Sequence, residues 1–156
     1  MGLDTFATVR GADGEWTPAP DEPFAGIHLV GGVFSGGAGS SSMRGKVYAN
    51  VVGAATGESL FQERIEPAAV AEMARRLRAA VEVAQRTGTR AGEREVGALD
   101  ENGRLQLDEP GGLRMESEEI AVLDVAGEEI DAQEAEALAR WFEVCAERGY
   151  AVEGWW

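Results

Sequence analysis

Residues 31–57 read GGVFSGGAGSSSMRGKVYANVVGAATG, and this stretch sets how the chain divides into loop and helix. Residues 31–42 are glycine, serine and a few apolar residues, a composition that favours turns over regular pairing. From Met43 onward the apolar residues fall at helical spacing. The pattern predicts a helix over 43–55, with Ser41 or Ser42 as its N-cap and Gly57 closing it. Val47, Val51 and Ala55 would face inward, with Tyr48 and Val52 alongside. No Asp or Glu occurs between residues 23 and 57, although the chain holds 28 acids. Lys46, the only lysine, lies in that acid-free segment together with Arg44.

A Gly/Ser loop that opens a helix suits an anion. Backbone N–H groups at a helix N-terminus, unobstructed at Gly36, Gly37 and Gly39, can cradle a phosphate or carboxylate. Ser35, Ser40, Ser41 and Ser42 would add donors, and Arg44 and Lys46 would add charge. The loop is not a Walker A motif. Five residues separate Gly39 from Gly45, and Val47 stands where a Ser or Thr would hold Mg²⁺. The dinucleotide-binding glycine spacing is missing as well, so no cofactor is implied.

Outward from this stretch, residues 3–9 (LDTFATV) are rich in β-formers and read as a strand. Residues 11–23 carry Pro18, Pro20 and Pro23 and read as a loop without pairing. Residues 27–30 form a brief apolar run, either strand or turn, around the single histidine, His28. On the other side, Leu60 and Phe61 anchor a connector. A long helix then runs over 66–87, with Pro67 in its first turn and Gly88 past its end. Val70, Met73, Leu77, Val81 and Ala84 form its apolar stripe, and Arg75, Arg76 and Arg78 point away toward nearby glutamates.

Residues 88–93 read as a linker. Residues 94–99 and 104–107 flank Asp100-Glu101-Asn102-Gly103 as a hairpin, with Val96, Ala98, Leu105 and Leu107 on its core face. Residues 109–112 break that pattern. A strand begins at 113–115, and a stronger one covers 120–125. Residues 127–131 lead to a last helix that starts at Asp131 with Glu134 in a capping-box position. Ala135, Leu138, Phe142 and Cys145 form its stripe, Trp141 lies beside them, and Gly149 ends it. Residues 150–156 make a final strand whose Trp155 and Trp156 close the edge of the core. The expected architecture is α+β: three helices packed on a mainly antiparallel sheet, in one compact domain over 1–156.

Charge is uneven along the chain. Residues 93–156 hold 18 acids against five arginines, whereas residues 1–92 hold ten acids against nine bases. This predicts an electrostatically two-faced protein unless folding interleaves the halves. A net charge of −14 argues against non-specific nucleic-acid binding, which depends on neutralising phosphates. No apolar run approaches the ~20 residues of a membrane span, and MGLDTFATVR has no basic leader, so cytoplasmic residence is expected. One cysteine forbids an internal disulfide, and one His with one Cys forbids the usual zinc sites.

No catalytic constellation is apparent. His28 is the only imidazole available to the serines, and no Gly-x-Ser-x-Gly elbow occurs. Cys145 sits on an apolar stripe, where a thiol is an inert hydrophobe. Adjacent pairs such as Glu118-Glu119 and Glu128-Glu129 share one environment, which does not separate an acid from a base.

MGLDTFA at the start, GGVFSGG and GSSSMRGKVY in the middle, and CAERGYAVEGWW at the end resemble a family of small prokaryotic proteins without an assigned activity. The resemblance spans most of the chain and implies a single compact domain. The leading functional expectation is a non-enzymatic binding or accessory protein, of the inhibitor or immunity kind, whose acidic C-terminal half meets a basic protein partner. The alternative is an enzyme or sensor holding a small phosphorylated or carboxylated ligand at Ser35–Lys46.

Overall fold

A computed structural model describes residues 2–108 and 111–156, with Asp108 described by its backbone alone. It is α+β, with three α-helices and antiparallel sheets. The first sheet is ordered β2-β1-β10-β4, from Trp16–Pro18, Asp4–Arg10, Ala151–Trp155 and Arg64–Ile65, and β3 (Ser42–Met43) pairs with β1 off that path. The second is ordered β5-β8-β9, from Arg90–Gly97, Met115–Val125 and Glu128–Asp131. A two-stranded piece joins β6 (Leu107–Asp108) to β7 (Gly112–Leu113). Helices α2 (Pro67–Thr87) and α3 (Ala132–Arg148) pack along each other and against β8, and α1 (Gly45–Thr56) touches β1, β8 and β9. One apolar core runs through both main sheets and all three helices.

The two long helices form where their ends are signalled. Pro67 opens α2, and the Gly88 N–H closes it on the Ala84 carbonyl. Val70, Met73, Leu77, Val81 and Ala84 are buried together with Ala74. Asp131 caps α3 by accepting from the N–H groups of Gln133 and Glu134, and Gly149 closes it in the left-handed region at φ 67°. Ala135, Leu138, Phe142 and Cys145 are buried, and Trp141 is fully enclosed between Phe24 and Phe142, at centroid distances of 5.5 and 5.1 Å. Glu134 does not return to the cap. It accepts the Tyr48 hydroxyl at 2.8 Å, while that hydroxyl accepts the Val30 N–H at 2.9 Å.

Several boundaries differ from expectation, each for a local reason. Helix α1 starts at Gly45, because Ser42 and Met43 are extended and pair with Phe6 and Thr5 of β1. Neither Ser41 nor Ser42 caps it; Arg44 occupies the cap position without a side-chain bond. The inward face is Gly45, Tyr48, Val51, Val52 and Thr56, which leaves Val47 half-exposed. Residues 11–23 are not wholly loop, since Trp16–Pro18 pairs with β1 as an edge strand. Pro18 is tolerated there because an edge residue needs no outward donor.

The linker shrinks to Gly88 and Thr89, as Arg90 already pairs with Val122 in an eight-residue register. Asp100 does form the expected turn with Gly103 and Arg104, and Leu99 bridges Leu105. The main partner of β5 is nevertheless β8, not residues 104–107. Leu105 and Leu107 consequently lie exposed rather than in the core, although Ala98 is buried. Of residues 113–115, Leu113 belongs to β7 and Met115 starts one long strand that runs through 120–125 to Val125, and 127–131 contains β9. Of the break at 109–112, Glu109 and Pro110 lie outside the described residues. Leu60 anchors as expected, but Phe61 is half-exposed, and Trp155 and Trp156 stand out of the core.

The register of α1 is checked by two glycines. A Cβ at Gly45 would land on the Thr5 hydroxyl, whereas a Cβ at Gly53 meets nothing closer than the Glu58 carbonyl at 3.9 Å. Gly45→Ala is expected to destabilise the fold by about 1–3 kcal/mol through overpacking. Gly53→Ala should instead stabilise it by about 0.5–1 kcal/mol through helix propensity. Urea denaturation of the two variants would measure both signs, and equal effects would contradict this register.

Candidate functional site

The Gly/Ser loop is fastened by its own polar groups. Asp4 of β1, almost buried, accepts the Phe34 N–H at 3.0 Å and the Ser35 hydroxyl at 3.4 Å. The Gly32 N–H donates to Ser35 Oγ at 2.6 Å, and a Cβ at Gly32 would overlap the Asp4 carboxylate. Farther along, Ser42 Oγ accepts the Gly36 N–H, and the Ser42 carbonyl accepts the Gly37 N–H. The Gly39 N–H goes to the Ile27 carbonyl, and Trp141 Nε1 donates to the carbonyl of Ser40. Gly37 and Gly39 adopt φ of 77° and 63°, which glycine accommodates without strain.

These bonds place the nine expected anion-site residues in two environments. Ser35, Gly36, Gly37, Gly39, Ser40, Ser41 and Ser42 form an internally bonded loop wall. Lys46 points into solvent on α1. Arg44 alone of the set lines a groove of about 540 Å³. Val33, Phe34, Trp155 and Trp156 form the apolar part of that groove, and Asp4 and Glu63 also border it. Phe34 is 77% exposed and Trp155 68% exposed, values unusual for large apolar side chains that share one hollow. The paired tryptophans at the end of β10 were the available signal for this groove, but a strand-end aromatic reads equally as core.

His28 is exposed and shares a different hollow with Asp131, Glu134 and Arg140. Cys145 is fully buried on α3, and burial raises its thiol well above the ordinary range. Among the described residues, no group of three or more His, Cys, Asp or Glu side chains converges as a metal site.

The two halves of the chain interleave rather than forming two charged faces. Arg78 of α2 holds Glu143 at 2.6 Å and Glu136 at 2.7 Å on α3. Arg90 pairs with Glu129, and Arg94 pairs with Glu118 at 2.9 Å and approaches Asp131 at 3.7 Å. Arg75 and Arg76 both engage Glu72, as a solvated helix face should. Hydrogen bonds from Arg78 and Arg90 hold Glu136 and Glu129 below the usual carboxylate range.

Another set of acids has no such partners among the described residues. Strand β5 and the first half of β8 are largely exposed, with Gly92, Val96, Gly97 and Ile120 partly covered, and they form a two-stranded ribbon. Alternation puts Ala91, Glu93, Glu95 and Gly97 on one face, opposite Ala121, Glu119, Ser117 and Met115. That face holds three glutamates and no cation, and Glu93 lies directly across from Glu119. Like charges so placed destabilise a ladder. At the far end, Leu99, Leu105, Leu107, Leu113 and Met115 are all exposed.

Asp21 ties the loop from outside, accepting the Ser41 N–H at 2.7 Å and the Ser40 hydroxyl at 3.3 Å. The Ser41 backbone bond is the main reason its pKa falls below the ordinary 3.8. A lowered folded pKa adds stability that is complete above the unfolded value and lost as pH drops through the folded one. Asp21→Asn should therefore flatten the stability profile on the acid side of pH 4, measured by urea midpoints against pH; an unchanged slope would remove Asp21 from the loop's support. Set beside protein-family models, curated proteins and solved structures, this chain matches none of them.

Proposed function

We propose that the protein is a non-catalytic binding protein whose β5–β8 ribbon docks a basic protein partner. The observation that carries this reading is the ribbon itself: an unpaired acidic face that leads to an exposed leucine-rich end. A largely exposed two-stranded ribbon is marginal in water, so one of this length favours an intermolecular role. The exposed leucines supply apolar area, and the glutamates supply steering and selectivity. A second copy of the chain fits poorly, because its own acidic face would meet like charge. Elsewhere in the acidic C-terminal half, Glu129 and Glu136 are held by arginines and Glu134 by Tyr48, which makes them less suited.

The test uses a synthetic peptide of alternating lysine and leucine, with association followed by stopped-flow at low and moderate salt. Replacing Glu93, Glu95 and Glu119 by Gln should slow association several-fold and weaken its salt dependence. Replacing Glu15, Glu22 and Glu82 changes net charge equally and should have a much smaller effect. Equal slowing by both triple variants would reduce the interaction to bulk charge and sink the ribbon as a site.

A further inference from the structure

The groove beside the Gly/Ser loop is separate from the ribbon and carries its own chemistry. Three features converge there. Its walls present Val33, Phe34, Trp155 and Trp156, more than half exposed yet gathered round one hollow. The indoles are braced rather than loose, since Trp155 meets Phe6 and Trp156 meets Phe61 in edge geometry at 6.3 and 6.1 Å. Arg44 contributes the third feature: it is partly buried and makes no ion pair or side-chain hydrogen bond among the described residues. Arg10, Arg86, Arg104, Arg114 and Arg148 also form no ion pair among the described residues, but all five are exposed, so Arg44 is the one unpaired arginine held partly out of water. A concave apolar surface of this size with one convergent polar group is the usual form of a small-molecule site.

Charge decides the ligand class. One guanidinium faces the groove, and so do two carboxylates, Asp4 and Glu63. Asp4 already accepts from Phe34 and Ser35, which occupies it in holding the loop. Glu63 is exposed and in ion pairs with no described residue. A phosphate dianion would bring two negative charges beside those acids against a single guanidinium, whereas a monocarboxylate brings one. A single carboxylate can take the arginine fork bidentately and leave the acids undisturbed. We propose that this groove binds an aromatic monocarboxylate, with its ring against Trp155, Trp156 and Phe34 and its carboxylate on Arg44.

The probe is 4-phenylbutyrate, titrated against the full chain by tryptophan fluorescence and by chemical-shift mapping. Its neutral and cationic counterparts, 4-phenylbutanol and 4-phenylbutylamine, and inorganic phosphate serve as comparisons. Saturable binding of the carboxylate is expected, with the alcohol about tenfold weaker, the loss that removing one charged hydrogen-bonded pair produces. Arg44→Gln should impose a similar loss, and Arg44→Lys a smaller one. Trp156→Ala changes an exposed side chain and keeps the test alive if Arg44→Gln fails to fold; it too should weaken binding. The proposal is overturned if the amine binds as tightly as the carboxylate, if phosphate competes at equal concentration, or if no phenylalkyl probe binds below about 10 mM, an affinity near the weakest that a specific site would show.

Discussion

The carboxylate of Asp4 is the joint on which the first third of the chain depends. It stands on the central part of the first sheet, almost out of water, and the loop after Val30 closes onto it through the Phe34 N–H and the Ser35 hydroxyl. A buried acceptor of this kind is costly to leave unfilled, so strand and loop are organised together. Gly32 has no side chain because the carboxylate fills the space one would need. From that joint the loop runs to Ser42 and Met43, pairs with the same strand, and is tied to α3 by the indole of Trp141. The polar groups that look from sequence like a ligand cradle are largely bonded to one another. What they position is Arg44 and the exposed side chains of Val33 and Phe34, which face Trp155 and Trp156 across the groove.

Legibility in the sequence followed where the physical signal was local. The two long helices were readable because their stripes, a proline start, an aspartate cap and glycine ends all agree. The first and last strands were readable from their β-formers. The ladder between β5 and β8 was not, because most of its residues are polar on both faces, so no alternation marks it. Ser42 and Met43 show a different failure. Serine before a helical stripe is a strong cap signal, yet a tertiary pairing with Thr5 and Phe6 took the backbone first and moved the helix start to Gly45. That shift of start turned Val47 outward. Trp155 and Trp156 were misjudged because sequence cannot say whether a strand's end faces the core or the solvent.

The distribution of carboxylates also became readable only in three dimensions. Counting acids along the chain suggests a charged half. Folding places Arg78 and Arg90 among those acids, and many of them become structural. Among the acids left without an arginine, Glu93, Glu95 and Glu119 share one ribbon face, where even the cross-strand geometry opposes charge to charge. An unfavourable pair retained in an exposed element is more informative than a large net charge, since surface charge has many benign origins.

Pairing of β1 with β10 has a consequence for synthesis. Residues 4–8 find their partners at residues 151–155, so the central ladder of the first sheet joins segments at opposite ends of the sequence. During translation β2 and β3 follow the early strand closely, but the edge that β10 will cover stays unanswered until the chain is nearly finished. At ~5–20 residues per second, that interval lasts on the order of ten seconds. Meanwhile α2 and its local contacts can already form. The β1–β10 ladder is therefore a late event, and the nascent chain passes through a period in which that edge of β1 must be kept from other chains.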